Sequence, residues 1–503
     1  MQDLPVRFPR DPWCRAGSRL MLTLDETGAC YLGLTPDGVQ PGRDMLARLS
    51  LWRGEEELTY RAAQENGAMV LRAEGGFVRL GLGFPEWLCI GGEGVSLLIG
   101  KGFTPNVLMG GGSAVDDPLP GAVYVNSGAR MRILPKTGSV EVRSAWDLNA
   151  LSDPNPRVFL HPDAHGTLEA GVYVTDFDES PAEADTPDAA EDFEHFLRSL
   201  TAYPADDETL HAAYVAWTCL QPARQLAAPQ ISGPLYVMNR RTLGTARLSD
   251  NVLLSALLAD PAEAARQMCS FLPYLDENGL LPREINNRSR LYEAETPYFG
   301  VVLSDRPDIL EQLGETEYLA LARALDWWVR ERWCDVRQIF YYLHRYEPGC
   351  GAKQPFADVP PEFTPELNVC MRLWLDAMAL LAERLGRPDE AAAYRERAAA
   401  VTENLRARLW TGERWQYINI LDQALAVDRG GGIMTALLPE LADLRGAAPQ
   451  RIPRALLLPL LLAGDEATKK MAAKYLRRSA GELTSLRGAL TVLAAGLAGK
   501  GAF

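Results

Sequence analysis

Histidine is scarce in this chain: five residues, at 161, 165, 195, 211 and 344, in a length of 503. None pairs with another at ligand spacing on an expected helix, and HExxH, EF-hand and CxxC patterns do not occur. We therefore expect no metal and no cofactor. The eight cysteines (14, 30, 89, 219, 269, 334, 350 and 370) are scattered, which in a long chain reads as free buried thiols and not as a disulfide framework. Phosphate-binding glycine loops are missing too. No GxGxxG or Walker pattern is present, and Gly430-Gly431-Gly432 lacks the Lys-Ser/Thr that would have to follow. A nucleophile elbow is also absent.

Long apolar runs are wanting. The most apolar stretch near the C-terminus, Ala455–Ala463, is far too short to cross a bilayer. Met1–Leu24 carries Arg7, Arg10, Arg15 and Arg19 without an apolar core, so no secretory leader is expected. Positive charge is in deficit: 51 Lys and Arg against 66 Asp and Glu give a net charge of −15. That balance argues against a nucleic-acid backbone or an anionic membrane surface as partner. A cytoplasmic protein with no membrane partner is the expectation, and its oligomeric state is left open.

What is present is a sizeable core, with 47% hydrophobic and 23% charged residues, in a chain long enough for more than one domain. The hydrophobic period changes along it. Up to about residue 178 short runs alternate, as in Met69–Ala73 and Phe77–Leu80 around the hairpin signature Glu74-Gly75-Gly76. Val95–Ile99, Ala122–Val125, Met131–Leu134, Val140–Arg143, Val158–His161 and Gly171–Thr175 repeat the theme, as a β-sandwich requires. Residues 179–205 are acidic and Pro/Ala-rich and read as a linker.

From 206 to 503 the period is 3.6. Leu367, Cys370, Met371, Trp374, Leu375, Met378, Leu381 and Leu385 mark one helical face, entered through Thr364-Pro365-Glu366. Similar helices are expected at 209–226, 251–275, 317–333, 389–409, 432–444, 465–478 and 483–498, with shorter ones at 297–304 and 453–462. The length accommodates about twelve helices at roughly 20–25 residues per helix and connection. Six antiparallel hairpins closing into an (α/α)6 barrel behind a β-sandwich is the expected fold. A linear helical repeat is the rival, without a fixed-period self-similarity to support it.

In such a ring the chemistry belongs to interhelical loops, and three are rich in carboxylates and aromatics. Tyr236–Asn251 delivers Asp250 beside Ser249, where either also suits a helix N-cap. Gly279–Tyr298 gathers Glu284, Glu293, Glu295, two Asn and two Tyr in a stretch long enough to be functional. Tyr341–Glu362 combines His344, Glu347 and Asp358 with aromatic rings. Rings that stack on CH faces and carboxylates that accept hydroxyl protons suit a sugar. His344 also reads as a hydrogen-bonded residue at a helix C-terminus. Trp410, Trp415 and Tyr417 form a further aromatic cluster, each singly more often core than platform. In the β-rich part, His161-Pro-Asp163-Ala-His165 is the one polar cluster to follow, with a surface loop as its plainer reading.

From about Leu210 to Leu497 the sequence resembles the six-hairpin glycosidases, specifically the bacterial mannosylglycerate and glucosylglycerate hydrolases and processing α-glucosidases. Asn239-Arg240 leads to Ser249-Asp250-Asn251, then Leu257–Ala265, Gly279-Leu280-Leu281-Pro282-Arg283-Glu284-Ile285-Asn286 and Thr296-Pro297. These stand in the order of that family's Asn-Lys, Trp-Asp-Ser/Asn, Gly-x-x-Pro and Pro-Pro segments. The resemblance implies an (α/α)6 barrel acting on α-glycosides with inversion. It also places Gly351 at the family's general acid, in the segment His344–Ala352, Lys474 at its general base, and Ser249 at a sugar-contacting Trp.

Inverting hydrolysis needs two carboxyl groups, one protonated and one ionised. Either neighbours supply them, with Glu347 or Asp358 as acid and Asp250, Glu284 or Glu295 as partner, or the barrel binds a sugar without cutting it. The expectation is a glycoside hydrolase of carbohydrate metabolism acting on an α-linked glucoside, mannoside or small glycosyl conjugate. Asn239, Arg240, Asn251, Glu284, Tyr298, His344, Trp415 and Tyr417 are expected to bind the sugar. The alternatives are a catalytically degenerate carbohydrate-binding member, or a sugar isomerase. An isomerase would want paired histidines, and only His344 is well placed.

Overall fold

The computed structural model describes residues 4–7, 11–18, 20–34, 45–65, 67–83, 87–101, 107–109, 123–126, 130–143, 149, 157–174, 189–221, 235–238, 245–286, 289–344, 347, 361–412, 415–425 and 485–498. The chain divides into two compact units, one built chiefly on Met1–Phe196 and one on Leu197–Ala216 and Gly244–Phe503.

The first unit holds two antiparallel eight-stranded sheets. Strict alternation along the strands explains them. In Gly76–Gly83, Val78 and Leu80 are buried while Arg79 between them is exposed. Strands Ala68–Ala73 and Gly76–Gly83 pair Ala73 with Gly76, leaving Glu74-Gly75 as a two-residue turn with Gly75 at φ 72°. One sheet runs from Trp13–Cys14 through Met45–Arg53 and Ser96–Lys101 to Ser139–Arg143. The other centres on Thr167–Val174, Trp87–Glu93 and Gly76–Gly83. Leu49, Leu97 and Phe159 from the first sheet and Leu71, Leu80 and Val172 from the second are wholly buried. Tyr60 ties the sheets together: its hydroxyl donates to the Leu49 carbonyl (3.0 Å) and accepts from the Cys30 amide (2.8 Å).

Ten α-helices lie among the described residues: α1 (Ala189–Arg198), α2 (Asp207–Thr218), α3 (Leu248–Ser255), α4 (Pro261–Met268), α5 (Phe299–Asp305), α6 (Pro307–Gln312), α7 (Glu315–Arg332), α8 (Pro365–Arg384), α9 (Pro388–Leu409) and α10 (Leu486–Ala498). The signals at Thr364-Pro365 act as read: Thr364 Oγ1 accepts from the Leu367 amide (3.4 Å) and Pro365 opens α8. Gly300 lets α5 approach α8, since a Cβ there would stand 2.1 Å from the Trp374 amide nitrogen.

Several expected boundaries move. The helix expected over 251–275 is two helices, because Asp260 is extended, caps Ala262 N (2.9 Å) and hands over to Pro261 at the next helix start. The helix expected over 209–226 stops at Thr218 and is followed by a short strand, Leu220–Gln221. Within the stretch read as linker, α1 forms on Phe193, Phe196 and Leu197, all buried, whose spacing makes one apolar face despite the acidic composition. Residues 279–298 are not a plain loop: Glu284–Ile285 pairs with both Ala246–Arg247 and Arg290–Leu291. The helices expected at 432–444, 453–462 and 465–478 lie outside the described residues. No described helix is long and apolar enough to cross a membrane.

Candidate active site

The short three-stranded sheet sets the entry of α3. Arg247 pairs with Glu284, and the Leu248 amide donates to the Arg283 carbonyl (2.9 Å). This turns Ser249, Asp250 and Asn251 inward, and all three are buried. Neither Ser249 nor Asp250 caps the helix; the N-cap is Arg247, without a side-chain cap bond. Their side chains serve a charged cluster instead. Ser249 Oγ donates to Glu295 Oε1 (2.9 Å) and accepts from Arg487 Nη2 (2.7 Å). The Ser249 amide also reaches Glu295 Oε2 (3.3 Å). Arg487 Nε donates to Asp250 Oδ1 (2.5 Å), and Arg247 Nε stands 2.7 Å from Glu295 Oε1. The Arg487 guanidinium lies 5.6 Å from the centre of the buried Tyr298 ring.

Electrostatics follows this pairing. Burial works against charge on Arg487, but Asp250, Tyr298 and Glu295 more than offset it and hold the guanidinium above the ordinary arginine range. Glu295, helped by Asp250, does the same for Arg247. Glu295 also borders a small cavity of about 20 Å³ lined largely by Leu248, Leu281, Phe299 and Trp374, room for about one water.

Glu347 is brought to the same neighbourhood through the backbone, where the Thr296 amide donates to its carbonyl (3.2 Å). Its buried carboxylate accepts from Arg332 Nη2 (2.7 Å) and Nε (3.2 Å) and from the Leu343 amide (2.6 Å). Thr296 Oγ1 meets the hydroxyl of Tyr342 at 2.6 Å, and burial pushes that phenol well above its ordinary pKa.

The other candidates fall elsewhere. Asn251 spends its amide internally: Oδ1 accepts from the Tyr236 amide (2.9 Å) and Gln267 Nε2 (3.0 Å), and Nδ2 donates to the Tyr236 and Arg247 carbonyls (2.9 and 2.8 Å). Glu284 is partly exposed beside Arg283 (3.3 Å). His344 is exposed past the Ile339–Phe340 strand, not at a helix C-terminus, and its carbonyl accepts from the Glu347 amide (3.0 Å). Trp415 and Tyr417 are buried, Trp415 packing on Trp410 at 5.1 Å. Asn239, Arg240, Gly351, Asp358 and Lys474 lie outside the described residues. In the first unit, His161 is held by Ser96 (2.9 Å) and Glu141 (3.0 Å), and Asp163 closes a turn onto the His165 and Thr167 amides.

Sequence reasoning missed the arginines 247, 332 and 487. For Arg487 a signal existed: it is the one charge in Leu486–Ala498, and it stands in the first turn, where the helix dipole disfavours a cation. It also missed Asn368, which repeats the role of Asn251. Four residues into α8, Asn368 Oδ1 accepts from the Phe340 amide (2.7 Å), and Nδ2 donates to the Phe340 and Thr364 carbonyls (3.0 and 2.8 Å).

No protein-family model matches the chain, and no curated protein matches it. Solved structures do. A bacterial glucoamylase complexed with acarbose aligns over 99% of this chain and 95% of its own, with TM-score 0.52 and 10% identity. A family GH92 inverting mannosidase from Bacteroides thetaiotaomicron aligns over 96% and 82%, with TM-score 0.50 and 11% identity. A GH63 mannosylglycerate hydrolase from Thermus thermophilus in complex with glucose covers 57% of this chain and 99% of its own, with TM-score 0.42 and 13% identity. What the glucoamylase and the GH92 mannosidase share with this chain is the fold: a β-sandwich followed by a helical (α/α)6 domain.

Proposed function

We propose that the chain is a glycoside hydrolase acting on an α-linked glucoside, mannoside or small glycosyl conjugate, with inversion. The observation that carries this reading is the alignment with a glucoamylase over nearly the whole of both chains. The buried carboxylates at the start of α3 and beside Thr296 support it. In this reading Glu347 or Asp358 donates the proton to the leaving oxygen, and Asp250 or Glu295 is its partner.

A second reading, a barrel that binds sugar without cutting it, is favoured by one specific observation. Asp250, Glu295 and Glu347 are each ion-paired with an arginine of their own. A general acid must give up a proton, whereas carboxylates committed in this way act as acceptors.

The two are separated by assaying α-glucosides, α-mannosides and glycosylglycerates with the wild type beside Glu347→Gln and Asp358→Asn. Turnover by the wild type, lost by orders of magnitude in one of the variants, supports hydrolysis and names the acid. No turnover, with a sugar still raising the melting temperature, supports the binding reading and sinks the hydrolase.

A further inference from the structure

The outer face of the second sheet in the sandwich carries a shallow trough that owes its shape to missing side chains. In register, Gly91 lies between Arg79 on one neighbouring strand and Glu169 on the other. Two residues along, Cys89 lies between Gly81 and Gly171. Strand spacing sets Arg79 and Glu169 about 10 Å apart at the backbone, with only a glycine between them. A Cβ on Gly91 would meet nothing within 4 Å, so no packing inside the protein requires glycine there. Glycine weakens a strand, and here it leaves open space on the sheet face where a side chain would otherwise stand.

The trough ends on an aromatic plate. Trp87 lies flat on Gly171, where an added Cβ would stand 2.2 Å from Cζ2 of the indole. The indole is only partly buried, and Lys136 Nζ sits 5.9 Å from its centroid. Lys136 occupies the bulge between Pro135 and Thr137. Arg79, Lys136 and Glu169 are exposed, and the open volume they border is about 290 Å³.

We propose that this trough is a saccharide-binding site, separate from the charged cluster at α3. A sugar ring offers an apolar CH face, which an indole accepts. Its neighbouring hydroxyls both donate and accept, so they suit the Glu169 carboxylate and Lys136 ammonium on one wall and the Arg79 guanidinium on the other. A phosphate or a simple carboxylate would use the two cations but gain nothing from Glu169. With a single carboxylate the trough binds and does not hydrolyse. The assignment does not depend on activity in the helical unit.

The test is titration calorimetry of the full chain with maltose, α-1,2-mannobiose and glucosylglycerate. Wild type is compared with Gly91→Leu, which fills the trough, and with Glu169→Gln. The expected result is that Gly91→Leu loses one bound sugar per chain while keeping its melting temperature, and Glu169→Gln binds that sugar about tenfold more weakly. If Gly91→Leu does not fold, the exposed pair Arg79→Gln/Glu169→Gln carries the same test. Unchanged stoichiometry and affinity in these variants, or no binding of the three sugars by the wild type at about 10 mM, overturns the proposal. A wild type that hydrolyses nothing yet loses one equivalent in Gly91→Leu supports the trough and counts only against the glycosidase reading.

Discussion

Arg487 and Asp250, 237 residues apart in sequence, meet with Nε 2.5 Å from Oδ1, and both side chains are largely buried. The contact ties the last described helix, α10, to the first turn of α3. Two charges paired out of water add little net stability, because desolvation offsets their attraction, but either one left there alone is costly.

Asp250→Asn alone should therefore cost about 3–5 kcal/mol, because it leaves Arg487 buried without its main counter-charge. The double variant Asp250→Asn/Arg487→Met should recover most of that loss. An arginine held above its ordinary range keeps its proton well past neutral pH, so its contribution is fully present there and lost only in strong alkali. Urea denaturation of the two single variants and the double one checks this. Additive losses would mean that the pair is not coupled.

Acid should loosen the sandwich through Glu141. Hydrogen bonds from Arg143 (2.7 Å) and then His161 (3.0 Å) push its carboxyl down to about 2. A carboxyl lowered on folding contributes stability that is present above its unfolded value, near 4.5, and lost as pH falls through about 2. Glu141→Gln should flatten that part of the acid limb. The effect should shrink in salt, since the group is well exposed. Denaturation between pH 6 and pH 2, at low and high ionic strength, reads both.

Gly300→Ala should be among the most damaging single-methyl changes in the helical unit. Its Cβ would stand 2.1 Å from the Trp374 nitrogen and 2.4 Å from the Leu373 carbonyl carbon, which are backbone atoms that cannot rotate away. A loss of about 3 kcal/mol is expected from the forced separation of α5 and α8. Gly91→Ala, with open space around it, is the matched control and should change the melting temperature by little.

Much of the architecture was legible because it rests on local periods. Alternation in Met69–Ala73 and Phe77–Leu80 places a hairpin without reference to anything distant, and the structure has it there. The face of Leu367, Cys370, Met371 and Trp374 is buried along α8 as the 3.6 spacing requires. The break at Asp260-Pro261 was legible in principle, since Pro after Asp is a start signal, but the apolar residues on both sides concealed it. The shared work of Asn251 and Asn368 was not legible. Each amide reaches a strand residue far back in the chain, Tyr236 and Phe340, and a pattern search along the sequence has no term for that.

By itself, then, the sequence determined where the chain alternates in twos and where it winds in turns of 3.6, because backbone geometry ties each period to one pattern of burial. Asp250, Glu295 and Glu347 could be named from it as carboxylates in suggestive segments. Which of them meet, and what they meet, was decided only in three dimensions. A charge removed from water must find its partner wherever folding brings one, and for Asp250 that partner came from α10. The same holds for the trough: Gly81, Gly91 and Gly171 look like three unrelated glycines until strand register sets them around Cys89 on three adjacent strands.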